Sequence, residues 1–171
     1  MKNIIFFAIA SFTITYCQGQ VRDRESGLSL FASTNDSAGI DFFGREGNSR
    51  IHFGYSYQFN GQKNEIKKKQ GQTDGLTEDG KGDYFWVIDL GYSRIFIDKL
   101  TVHSELSIGG KKEFTNFLDD RYSDDGYSLI TSSKAVMGVG LNMGYLMNNG
   151  LEPFIGIHTL KKINIGVRLS W

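Results

Sequence analysis

The chain has 171 residues with 19 basic and 19 acidic side chains, so it carries no net charge that would steer it towards nucleic acid. Twenty-one Gly, thirteen Phe, eight Tyr, one Pro and one Cys form an all-β composition without the cysteines of a disulfide scaffold. The length suits one domain.

The first 19 residues read as a secretory signal. Lys2 supplies the positive start, and Ile4 to Ile14 form an apolar run interrupted only by Ala, Ser and Thr. Cys17-Gln18-Gly19 then offers small residues at the positions a signal peptidase reads, with cleavage after Gly19 or Gln20. The run is too short to cross a bilayer as a helix, and no later stretch is long enough. Cys17 permits a second reading as a lipidated residue, against which stands the bulky Tyr16 beside it. Residues 20–171 are left as a single domain.

Alternation and turn residues predict eight strands in that domain. They run over Gly27–Ser33, Ser37–Gly44, Arg50–Asn60, Tyr84–Phe96, Leu100–Phe114, Lys134–Met147, Leu151–His158 and Lys162–Trp171. The third is the clearest: Ile51, Phe53, Tyr55, Tyr57 and Phe59 share one face, and Arg50, His52, Gly54, Ser56 and Gln58 the other. Connections alternate in kind. Arg45–Ser49, Ile97–Lys99 and Asn148–Gly150 are short and carry turn residues, whereas 61–83 and 115–133 are the two longest and fall together on the opposite side. Alternation alone does not say which face points inward, because a soluble barrel also alternates. The polar face is rich in small residues, among them Gly54, Gly91, Gly138, Gly140, Gly144, Gly156 and Gly166, which suit a crowded interior better than a water-facing surface.

The last nine residues, Ile163-Asn164-Ile165-Gly166-Val167-Arg168-Leu169-Ser170-Trp171, alternate strictly and stop on an aromatic. This strand resembles the closing strand of bacterial outer-membrane β-barrels. With the asymmetric connections, the chain resembles the small OmpA/OmpX-type barrels over nearly its whole mature length. The resemblance implies a closed antiparallel eight-stranded up-and-down transmembrane β-barrel in the outer membrane of a Gram-negative bacterium. It implies a monomer with both termini periplasmic, in contact with outer-membrane lipid and recognised by the assembly machinery through its C-terminal strand. Tyr84, Trp86, Tyr92, Phe96, Tyr145 and Trp171 would then form the interfacial girdles. Pro153 departs from the pattern, and is expected just inside the periplasmic end of its strand or at a bulge.

With the apolar face on lipid, the lumen receives Arg50, His52, Gln58, Asp89, His103, Glu105, Asn142, Glu152, His158, Asn164 and Arg168. An eight-stranded barrel is just wide enough for side chains to fill it, so these read as a structural, ion-paired polar core. Arg50 and Arg168 each need a carboxylate such as Glu105, Glu152 or Asp89. No catalytic, cofactor or metal residues stand out. His103-Ser104 is the one adjacent His–Ser pair, and adjacent strand residues face opposite ways, so it cannot act as base and nucleophile. The acidic run Asp119–Gly126 lacks the acid that closes a calcium loop, and the segment around Lys67-Lys68-Lys69 reads as a solvated loop.

Three functions fit these features. The first is a non-catalytic structural or surface-interaction role exerted through external loops 61–83 and 115–133, with an unknown ligand. The second is a narrow solute channel. The third is a soluble secreted lipocalin-like binding barrel, whose apolar face would line a pocket.

Overall fold

A computed structural model describes residues 24–66, 77–96, 99–119 and 126–171. The signal segment with Cys17, the lysine run 67–69, Asp98 and residues 120–125 of the acidic run lie outside the described residues. Nine strands are present among the described residues: β1 (Arg24–Ser33), β2 (Ser37–Glu46), β3 (Ser49–Gln58), β4 (Asn64–Ile66), β5 (Glu78–Phe96), β6 (Leu100–Leu118), β7 (Gly126–Tyr145), β8 (Leu151–His158) and β9 (Lys162–Ser170). All but β4 pair antiparallel with their chain neighbours, and β1 pairs with β9, so eight strands close into a ring. The closing seam runs from Ser33↔Asn164 down to Gly27↔Ser170, and Trp171 exchanges both backbone bonds with Ser26.

The register fixes the shape of the ring. Followed from Gly144 through Phe154, Gly166, Phe31, Gly39, Ser56, Val87 and Gly109, it returns to β7 at Val136, eight residues from its start. Eight strands with that stagger tilt by about 36° and enclose a lumen that side chains fill. The ladder of β7 and β8 stops at Gly144↔Phe154, immediately before Pro153, whose missing N–H therefore costs that ladder nothing.

Side-chain parity sorts the wall into two faces. Ile51, Phe53, Leu90, Ile108, Met137, Ile155, Ile157, Ile163 and Ile165 point outward and are exposed, Ile51 by 72% and Ile165 by 65%. Arg50, His52, Asp89, His103, Glu152 and Arg168 point inward and are buried. The apolar face is the outer one, which overturns the soluble lipocalin-like alternative, since that barrel needs its apolar face inside.

The two long connections are shorter than alternation suggests. β5, β6 and β7 run for 19, 19 and 20 residues, against 8–10 for the other ring strands. Segments 78–83, 115–118 and 126–133, expected in loops, are strand. The reason is cross-strand pairing: Phe117 and Tyr127 are register partners whose rings stack 5.7 Å apart, and the apolar and β-branched residues beside them extend the hairpin past the rim. From the end of β3 the chain then crosses this raised sheet. Asn60 Nδ2 donates to the Asp83 carbonyl (2.7 Å), Asn116 Nδ2 to the Gly61 carbonyl (3.1 Å) and the Lys63 N–H to Ser128 Oγ (2.8 Å). The crossing ends in β4, which pairs parallel with Tyr127–Leu129 of β7 and covers part of that strand's free edge.

Candidate functional site

Among the described residues, the lumen is where this fold concentrates buried polar and charged side chains. Its packing follows from the glycines of the polar face, each of which lies under a large neighbour. A Cβ on Gly27 would stand 2.0 Å from the Phe43 ring, on Gly54 1.9 Å from Asp41 Oδ1, and on Gly91 2.3 Å from His103 Cε1. Large side chains from one strand thus lie over the bare backbone of the next, and the interior fills without widening the barrel.

At the end with the short turns, Glu152 of β8 is clamped between two arginines. Arg50 Nη1 binds its Oε2, Arg168 Nη1 donates to Oε1 at 2.5 Å, and Thr101 Oγ1 donates to the same oxygen at 2.5 Å. Arg50 packs over Phe43 and Arg168 over Phe154, with guanidinium-to-ring distances of 5.0 and 4.0 Å. Both arginines share this one carboxylate rather than taking one each. In mid-barrel the His52 and His103 rings meet edge to face with centroids 4.3 Å apart, and His52 Nε2 lies 2.8 Å from Ser93 Oγ.

Towards the other end lie Asp41, Asp89, Glu105, Ser107 and His158. His158 Nδ1 accepts the backbone N–H groups of Leu160 and Lys161 (3.1 and 3.2 Å). Its proton therefore sits on Nε2, which donates to Ser107 Oγ at 3.1 Å, and Ser107 in turn donates to Asp89. Ser56 also donates to Asp89. The sequence reading missed Lys161, which belongs to the turn between β8 and β9 yet is 0% exposed. Its Nζ binds Glu105 and lies 2.8 Å from Asp89 Oδ2. A signal for it existed: three lumenal acids, Asp89, Glu105 and Glu152, stood against only two arginines, and buried charge of that kind requires a further cation. Asp41, inward between the outward Ile40 and Phe42, was missed as well.

Other expected positions divide. Asn142 and Asn164 are buried in the lumen, whereas Gln58 is half-buried at its rim, where it donates to the Asn35 carbonyl (3.0 Å). His103 is buried and Ser104 exposed, so the two lie on opposite sides of the wall. Among the described residues no group of three His, Cys, Asp or Glu side chains is placed to hold a metal. Trp86, Tyr92, Phe96, Tyr145 and Trp171 are exposed on the outer face. Tyr84 is a correction to the girdle: it is only 4% exposed, packed between Tyr57 and Phe114 with Lys112 Nζ over its ring, on the face crossed by segment 59–63. On the opposite face of the raised sheet two ion pairs lie side by side, Lys111–Asp83 (2.5 Å) and Lys134–Glu113 (2.8 Å).

No protein-family model matches the chain, and no curated protein sequence matches it. Solved structures do resemble it. Ail, the attachment invasion locus protein of Yersinia pestis, solved with the heparin analogue sucrose octasulfate, is 10% identical with a TM-score of 0.48, over 86% of this chain and 93% of that one. Neisserial surface protein A is 11% identical with a TM-score of 0.48, over 87% and 95%. A de novo designed transmembrane β-barrel is 9% identical with a TM-score of 0.43, over 90% and 98%.

Proposed function

We propose that the chain is a monomeric, non-catalytic β-barrel of a bacterial outer membrane, with both termini periplasmic, acting outside the cell through the sheet and loops raised above its rim. The observation that carries this reading is the polarity of the wall. Long apolar side chains are exposed all round the ring while Arg50, Arg168, Glu152 and Lys161 are buried within it. In water that arrangement would leave a continuous apolar surface far larger than soluble monomers tolerate. In a bilayer it satisfies every requirement: lipid meets apolar side chains, and closure of the ring pairs the backbone. β9 supplies one side of the β1–β9 seam that closes the ring, which makes it the natural segment for the outer-membrane assembly machinery to engage.

The surface role is supported by the raised sheet. At roughly 3.3 Å per residue, strands of 19–20 residues are about twice the length that ring closure uses, and the excess projects from the end away from the short turns. The channel reading loses support, since the Arg50–Glu152–Arg168 clamp and the Lys161 side chain cross the lumen at two levels. The test is refolding from urea. The chain should reach a heat-modifiable, β-rich state only with detergent or lipid present. A monodisperse folded monomer in detergent-free buffer would overturn the reading.

A further inference from the structure

Lys161 enters the lumen differently from every other charge there. Arg50, Glu105, Glu152 and Arg168 are parts of the wall, fixed by strand parity. Lys161 hangs from a turn, with its backbone at the rim and its ammonium at the end of a four-carbon chain that reaches down from the open end. The ammonium meets a complete set of partners: Glu105, Asp89 Oδ2 at 2.8 Å, and the face of Phe31 with Nζ 4.6 Å from the ring centroid. Carboxylates beside an aromatic face are what a primary ammonium selects, through its three N–H donors and the ring's negative face.

The site also holds more acceptor capacity than Lys161 uses. Asp41 is 3% exposed, its Oδ1 has no hydrogen-bond partner, and it interacts electrostatically with Asp89, Glu105 and Lys161. Two carboxylates thus bind the ammonium and a third lies in the same half of the lumen without an ion pair, while both lumenal arginines are engaged by Glu152. Next to Lys161, Lys162 holds a left-handed backbone (φ 66°), a conformation that costs a non-glycine residue about 1 kcal/mol or more. Thr159 is tied to β7, its N–H donating to the Val139 carbonyl and its Oγ1 accepting the Val139 N–H (both 3.0 Å), but the tip beyond it is held by side chains, His158 Nδ1 on the amides of Leu160 and Lys161 and Asn35 Nδ2 on the Leu160 carbonyl (2.6 Å).

We propose that the half of the lumen facing the long connections is a binding site for primary alkylammonium groups, which Lys161 occupies in cis, and that the turn tip 160–161 is its lid. A small amine, or the amine end of a larger ligand, takes the place of the Lys161 ammonium when the turn lifts. The chemistry requires N–H donors and excludes quaternary ammonium.

The test uses Lys161→Ala, which deletes the atoms that n-propylammonium would restore. Unfolding of the detergent-refolded chain is followed against n-propylammonium, with sodium and tetramethylammonium chloride as matched controls. The variant should gain several degrees in Tm, saturably, with n-propylammonium alone. The wild-type chain, in which the tethered Lys161 competes for the site, should gain only at far higher n-propylammonium, and adding Glu105→Gln to the variant should abolish the gain. If Lys161→Ala does not fold by itself, its refolding yield in n-propylammonium becomes the readout. No gain in Tm or yield, or an equal gain with tetramethylammonium or in the wild type, would overturn the proposal.

Discussion

Glu152 shows how a single residue can hold a lumen together. It is fully buried and binds two arginines at once, so replacing it strands two guanidiniums without a counter-charge. Breaking a buried pair from one side costs ~3–5 kcal/mol, and Glu152→Gln is expected to lose that much in urea unfolding of the lipid-refolded chain. Replacing Arg50, Glu152 and Arg168 together by Met should cost far less, because no charge is left unpaired. The glycines offer a second comparison. Gly91→Val forces a branched side chain into the His103 ring and should destabilise by ~1–3 kcal/mol, whereas Gly44→Ala meets nothing within 4 Å and should be neutral. Parity explains which of these residues can be read in a sequence. Arg50, His52, His103, Glu105 and Arg168 sit in phase with glycines and serines along clearly alternating strands, so their common face is legible. Lys161 is not, because a turn residue has no phase, and only the surplus of lumenal acid points to it. Asp41 has a phase, but the second strand is too brief a run to establish it from sequence alone.

The strands carry the same lesson at the next scale. The number and order of the eight ring strands follow from alternation and from turn residues such as Gly47 (φ 58°) and Gly150 (φ 81°), and their closure from the resemblance carried by the C-terminal strand. The extent of β5–β7 does not, since Glu78–Asp83 is polar and glycine-bearing and Gly126–Ser133 begins on glycine and ends on three hydroxyl residues, and both become strand because each finds a partner across the sheet. β4 is legible in no local pattern, being three residues that pair at the end of a crossing held by Asn60, Asn116 and Ser128. These elements differ in what their removal should do. Deleting Leu169-Ser170-Trp171 shortens the β1–β9 seam and exposes two unpaired edges, so assembly in the outer membrane should fail. Deleting residues 67–76 removes none of the described strand pairings and shortens one connection, for which the closure cost is small, so it should leave a folded, heat-modifiable barrel. Gel mobility of unboiled membrane extracts compares the two, and equal loss would deny the seam any special role.

The molecule as a whole inverts the polarity of a soluble protein, with charges inside and a belt of Ile, Leu, Phe and Met outside. That inversion is the central claim, and two native probes test it without substitution. The only tryptophans of the chain, Trp86 and Trp171, both lie exposed on the outer face. In bilayers of phospholipid brominated on the acyl chains, their emission should be strongly quenched, more by bromines near the glycerol than by bromines near the chain ends, while aqueous acrylamide quenches weakly. Emission untouched by brominated lipid and quenched by acrylamide as freely as dissolved indole would place the apolar belt out of the membrane and contradict the claim.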